Sequence, residues 1–125
     1  VDLPSEIEVD IDPEQIKTVF ENIFNNAIKY SQPDSAPIQI SAKESGSYIV
    51  VRITDFGIGI PEEDLAHIFE PFYRVDKSRT KDTGGYGLGL SLCKTIMEAH
   101  DGKIEVQSRS DEGTTVSLHF PLLRT

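Results

Sequence analysis

The stretch IQISAKESGSYIVVRITDFGIGI (38–60) decides the fold. Residues 38–43 alternate apolar and polar, and residues 48–55 are rich in β-branched side chains, so both read as strands. Glu44-Ser45-Gly46-Ser47 between them is a hairpin turn signal. The second strand ends on a carboxylate, Asp55, and then meets Phe56-Gly57-Ile58-Gly59. Two glycines there permit a tight turn with bare main chain beside the acid. The pattern recurs near the C-terminus, where residues 103–109 and 114–121 alternate around Asp111-Glu112-Gly113 as a second hairpin.

Outward from this core, residues 5–11 (SEIEVDI) alternate like a half-buried strand. Asp12-Pro13-Glu14 then offers an N-cap, a first-turn proline and an acid near the positive helix end. Ile16, Val19, Phe20, Ile23, Ala27 and Ile28 recur at helical spacing as far as Tyr30. Residues 31–37 (SQPDSAP) stop that helix. Pro61-Glu62-Glu63-Asp64 opens a short helix toward Phe69, and residues 88–100 read as a second long helix stopped by Asp101-Gly102. The expected fold is α+β, a two-layer α/β sandwich: a mixed sheet of about five strands with about three helices on one face.

Composition bounds the function. The 125 residues carry 21 acidic and 12 basic side chains, a net charge of −9. That balance argues against a phosphate-backbone binder, so nucleic acid is not expected as a partner. No apolar run approaches the roughly 18 residues of a membrane span, and no membrane contact is expected of this domain. The single cysteine, Cys93, excludes an internal disulfide and reads as a small buried hydrophobe. Residues 1–125 read as one domain. Val1 in place of Met reads as a domain cut from a longer chain.

Four features carry chemistry. On the first helix Asn22, Asn26, Lys29 and Tyr30 fall within roughly 100° of one another. A solvated helix flank would look the same, but asparagines at 22, 25 and 26 are mediocre helix formers. Their amide oxygens suit a hard cation already carrying phosphates and water. Asp55, acceptor-only when ionised, suits an exocyclic amine such as that of adenine, although a plain strand-to-helix turn would read alike. The DFG triplet also opens a segment of eukaryotic protein kinases, but the partner motifs of that fold are missing.

The third feature is Gly84-Gly85-Tyr86-Gly87-Leu88-Gly89-Leu90, glycines at a helix start whose amides form an anion site, or else a hinge. It lacks the context of a P-loop or a dinucleotide fingerprint. The fourth is residues 72–82 (FYRVDKSRTKD), four basic residues against two acids in an otherwise acidic chain. This island suits a polyphosphate, with Arg74 as the best phosphoryl fork and Lys77, Arg79 and Lys81 as weaker candidates. It lies in a long irregular segment, and such a segment in a small domain usually serves function.

Together the four elements resemble the catalytic and ATP-binding domain of bacterial sensor histidine kinases. NIFNNAIKYS (22–31) resembles that family's N box and DFGIGI (55–60) its first glycine box. FEPFYRVDKSR (69–79) is similar to its F box and GGYGLGLSL (84–92) to its second glycine box, while HDGKIEVQS and EGTTVSLHFPL resemble its closing strands. The resemblance covers residues 12–122 and implies a Bergerat-type fold with a lid at about 70–87, ATP and Mg²⁺ as ligands, and a cytoplasmic location.

Carried over by residue, it implies that Asp55 contacts adenine and that Gly57, Gly59 and Ile60 line the base. Asn22 and Asn26 would hold Mg²⁺. Lys29 and Tyr30 would lie near phosphates and sugar, and Arg74, with Tyr73, would meet the γ-phosphate. The amides of Gly85, Tyr86, Gly87, Leu88, Gly89 and Leu90 would cradle the triphosphate. Thr114 would reach adenine through water, with Thr115 as its alternative. Asp101 stands where a second glycine is usual, in a turn.

Gyrase-like and chaperone ATPases of the superfamily carry a water-activating Glu four residues before the N-box Asn that corresponds to Asn26. This chain has Asn22 there, and Glu21 lies ~140° from Asn26 around the helix. The resemblance therefore implies a kinase, in which γ-phosphoryl passes to a histidine on a dimerisation and phosphoacceptor domain of the same protein, absent from this chain, and on to a response regulator receiver domain. His67, His100 and His119 do not resemble that acceptor. The domain by itself is expected to be a monomer. A nucleotide-dependent anti-sigma-type switch and a gyrase-like ATPase are the alternative readings.

Overall fold

The computed structural model describes residue 9 and residues 11–29, 36–70, 86–109 and 111–122. Helix α1 (Pro13–Lys29) starts where the sequence caps it. The Asp12 carboxylate accepts the N–H groups of Glu14 (3.0 Å) and Gln15 (3.3 Å), and its carbonyl accepts that of Ile16 at 3.0 Å. Three first-turn donors are thereby satisfied, and Pro13 has none to lose. Ile16, Val19, Ile23 and Ala27, three or four apart, form the buried stripe. Phe20 stacks on Phe24 and on Phe120, with ring centroids 6.2 and 6.4 Å apart.

Strands β1 (Gln39–Ser45) and β2 (Tyr48–Asp55) form the first hairpin, turning at Gly46 with φ 60°. Strands β3 (Lys103–Arg109) and β4 (Gly113–Pro121) form the second. The sheet order is β1-β2-β4-β3, with every neighbouring pair antiparallel. This corrects the expected mixed sheet of about five strands to four antiparallel ones among the described residues. Of residues 5–11, Val9 makes an isolated antiparallel bridge with Leu122, and residues 1–8 and 10 lie outside the described ones. Alternation reports which face a residue takes and is silent on which strand it pairs with, or in which direction.

Helix α2 (Glu62–Leu65) is a single turn, shorter than expected, and continues as turns to Glu70. Helix α3 (Tyr86–Ala99) includes the two residues before the position read from sequence. It lies against α1, where the Cys93 thiol donates to the Val19 carbonyl at 3.7 Å. At the far end of the pair, His100 Nδ1 donates to the Ile96 carbonyl (2.8 Å), while Nε2 accepts the Asp12 N–H (2.9 Å). One neutral imidazole thus ties the end of α3 to the start of α1.

The main core lies between these helices and the sheet: Ile53, Ile104, Val116, Leu118 and Phe120 meet Val19, Cys93 and Met97. A smaller cluster of Ile60, Ile68 and Leu90 sits beside it, and Phe69 packs against both. Lys94 of α3 lies over the Phe69 ring, 5.4 Å from its centroid. The polar row Lys43, Arg52, Glu105 and His119 belongs to the opposite face, where His119 Nε2 pairs with Glu105 at 2.8 Å. Asp101, with φ 59°, and Gly102 make the turn into β3. Any side chain at Gly102 would strike the His119 carbonyl.

Candidate functional site

The register of the sheet sets three polar side chains in a row. Asp55 of β2 pairs with Thr114 of β4, and Thr114 pairs with Ser108 of β3. Beyond Asp55 the chain turns sharply, so the Gly57 N–H reaches back to Asp55 Oδ1 at 3.0 Å. Gly59 takes φ 72°, in the region open to glycine. The Ile60 N–H then lands on Ser108 Oγ at 2.7 Å, and the Asp111 N–H on the Ile58 carbonyl at 2.6 Å. Gly113 has φ 104°, and a Cβ there would collide with the Asp55 carbonyl and lie 2.9 Å from Phe56 Cα. The tip of the second hairpin is thus pressed against the backbone that carries the acid.

Burial raises the Asp55 carboxyl above its ordinary 3.8, while hydrogen bonds from the Gly57 and Thr114 backbone oppose the shift. The ionised acid is therefore held in a partly dry place with acceptor capacity left over. It opens on a narrow cavity of ≈ 20 Å³, room for about one water. Ile23, Ile53, Ile60, Leu90, Val106 and Val116 form the apolar wall, and Asn26, Asp55 and Thr114 supply its polar groups. A wider groove of ≈ 600 Å³ continues past Asp55 and Thr114 toward Leu65, Gln107 and Arg109. Among the described residues, Asp55 is the one carboxylate lining the narrow cavity.

Asn26 presents a buried amide nitrogen that has no hydrogen-bond partner among the described residues. Asn22, one turn earlier, is not among the cavity-lining residues, and its side chain hydrogen-bonds Cys93. Burial pushes the Cys93 thiol up to about 12, against the lowering effect of that bond. Glu21 lies exposed and pairs with Lys17 at 3.8 Å. It does not line the cavity.

The structure therefore brings Asn26, Asp55, Ile60, Leu90 and Thr114 together. Gly57 and Gly59 shape the turn beside them. Thr115, the alternative to Thr114, instead meets Thr54 Oγ1 at 3.0 Å. Lys29 ends α1, and Tyr86, Gly87, Leu88 and Gly89 form the first turn of α3, but their side chains lie outside what is described. Tyr30, Tyr73, Arg74 and Gly85 lie outside the described residues altogether. Sequence reasoning missed Ser108 and Val106 as parts of the site. Both alternate along β3, and only the hairpin register, countable from the turn at Asp111-Glu112-Gly113, brings them level with Thr114 and Val116.

Residues 11–124 match the histidine kinase-, DNA gyrase B-, and HSP90-like ATPase family. The chain belongs to that family. It is 42% identical over 123 residues to the sensor protein kinase WalK of Staphylococcus haemolyticus, covering 96% of this chain and 20% of that protein. A WalK sequence of Staphylococcus aureus matches at 42% over 96% of this chain and 29% of its own length. The chain thus spans under a third of these relatives. Among solved structures, the mycobacterial sensor histidine kinase MprB superposes with a TM-score of 0.78 at 25% identity, over 95% of this chain and 78% of that one. The nucleotide-free catalytic domain of histidine kinase ThkA gives 0.73 at 32% identity, over 90% and 70%. Within the family, this chain is a sensor histidine kinase catalytic domain.

Proposed function

We propose that this domain binds Mg·ATP and donates the γ-phosphoryl group to a histidine on a separate dimerisation domain, for relay to a response regulator. The observation that carries the reading is the half-buried Asp55, facing a mostly apolar slot beside Thr114 and Asn26. The wider groove of ≈ 600 Å³ that continues past Asp55 and Thr114 has room for a flat heterocycle, and Asp55 at its junction with the narrow cavity accepts an N–H that such a ring brings. Asp55 takes the exocyclic amine of adenine, Gly57, Gly59 and Ile60 let the ring approach main chain, and Thr114 reaches it through water. The amides of residues 85–90, with Leu90 under the base, follow the triphosphate. Lys29, Tyr30, Tyr73 and Arg74 complete the phosphate end, in a lid at about 70–87.

The donor set also fits magnesium. Asn26 brings an amide with an unpartnered buried end, and a half-turn about its last bond offers oxygen in place of nitrogen. Asn22 is one helical turn away. The ion supplies charge neutralisation at the phosphates, and Asn22 and Asn26 would hold it. Asp55 faces the base, and Glu21 points to solvent beside Lys17. Among the described residues, neither of these carboxylates stands with Asn26 as a base toward the phosphate end, so the γ-phosphoryl is kept for an acceptor, and transfer rests on positioning and charge.

The partners are a dimerisation and phosphoacceptor domain and a receiver domain, in the cytoplasm. The domain alone is a monomer without membrane contact. Among the described residues no helix is long and apolar enough to cross a membrane. The test mixes this domain with a separately produced dimerisation domain and γ-labelled ATP. Acid-labile label on the partner's histidine supports the reading. Steady phosphate release without label on the partner favours an ATPase and refutes it.

A further inference from the structure

Ser108 does not line the narrow cavity, yet its hydroxyl touches three parts of the site. It accepts the Ile60 N–H at 2.7 Å, donates to the Gly113 carbonyl at 2.8 Å and lies 2.7 Å from Thr114 Oγ1. A hydroxyl owns one proton and two lone pairs. A carbonyl can only accept, so the Ser108 proton goes to Gly113. The amide of Ile60 fills one lone pair, and the second must then receive the Thr114 proton. No other assignment satisfies all three contacts.

The consequence falls on Thr114. With its proton committed to Ser108, its hydroxyl offers the cavity lone pairs alone. Asp55, level with Thr114 in the β2–β4 register, is acceptor-only as well when ionised. Asp55 and Thr114 therefore stand acceptor beside acceptor, with the Asn26 amide on α1 as the remaining polar group of the cavity. Resting on the nucleotide reading above, we infer that Ser108 is a positioning residue that sets base specificity. By holding Thr114 as an acceptor, it favours a purine with an amino group at C6 and disfavours one with a carbonyl there. A site whose polar groups point the wrong way rejects the mismatched ligand because buried partners go unpaired.

Calorimetry with ADP, IDP and inorganic tripolyphosphate, in magnesium buffer, tests this on the wild type and on Ser108→Ala, Ser108→Thr and Thr114→Val. In Ser108→Ala the Thr114 proton is released to turn into the slot. The ADP-over-IDP preference should narrow at least fivefold while tripolyphosphate binding stays within twofold. Ser108→Thr, which keeps the hydroxyl, should restore the preference. Ser108→Ala placed on Thr114→Val should add less than twofold. A folded Ser108→Ala with an unchanged preference overturns the inference, as does equal weakening of ADP and tripolyphosphate or full additivity with Thr114→Val. If Ser108→Ala does not fold, Thr114→Val decides: it must narrow the preference, and an unchanged ratio overturns the inference. A wild type that binds ADP but fails these criteria leaves the proposed function standing. A wild type that retains no nucleotide removes that function itself.

Discussion

Asp55→Asn is the most direct probe of the slot, since it keeps the shape of the side chain and the carbonyl that takes the Gly57 N–H. What it removes is the charge and one acceptor, replaced by an NH₂ that faces the NH₂ of adenine. A hydrogen bond to a charged partner contributes about 1.5–3 kcal/mol. At 1.4 kcal/mol per tenfold, that is roughly 10- to 150-fold in affinity. Titration calorimetry with ADP should show a loss in that range, and a Kd within threefold of wild type would refute the assignment.

The same variant makes a second, independent statement about stability. Burial holds the Asp55 carboxyl above its ordinary 3.8, so the folded chain binds that proton more tightly than the unfolded one. The stabilisation this brings is complete below 3.8 and is lost as pH rises through the elevated value. Asparagine never ionises. Relative to wild type, Asp55→Asn should therefore gain stability between about pH 4 and neutrality, as read from urea midpoints. A difference that is flat or reversed across that span contradicts the burial argument.

Four further outcomes are expected. Arg74→Ala should cut transfer by roughly 10²- to 10³-fold with little effect on ADP affinity, because one donor aimed at developing charge acts mainly in the transition state; equal losses in both would make it a plain binding residue. Leu118, fully buried beneath both long helices, should lose about 2–5 kcal/mol of unfolding free energy on Leu118→Ala, measured by urea denaturation. Gly113→Ala should lose about 1–3 kcal/mol from its positive φ alone and weaken ADP as well, since the new methyl meets the Asp55 carbonyl. Cys93, fully buried and pushed up to about 12, should react with a thiol reagent at pH 8 only as fast as the chain opens, so rapid labelling of folded protein would count against its burial.

Much of the frame was legible because local chemistry dictates it. Asp12 can cap only what begins at Pro13, and the Gly46 and Asp111-Gly113 turns force hairpins. The tight turn beside Asp55 was legible as well, since an acid at a strand end followed by two glycines reads as one, but that pattern does not separate a ligand site from a plain strand-to-helix turn. Pairing was not legible. Of SEIEVDI only Val9 and Ile11 are among the described residues, and Val9 bridges Leu122; period two by itself encodes a face and carries no partner. Ser108 was hidden for the same reason. Its neighbours on the chain say nothing of the amide of Ile60, 48 positions away. Asn22 shows the opposite limit: helical geometry sets it one turn from Asn26, but only packing could reveal that Cys93 engages its amide.

The satellite cluster of Ile60, Ile68 and Leu90 has a thermodynamic consequence of its own. Three side chains are too few to hold the floor of the slot by themselves, so that floor leans on Phe69 and Val106, which it shares with the larger interior. Such an arrangement lets residues around 56–68 open without global unfolding. A ligand seated on this floor would slow amide exchange there by holding the local opening shut, and Leu118 and its neighbours would gain protection too, because the global opening through which they exchange expels the ligand.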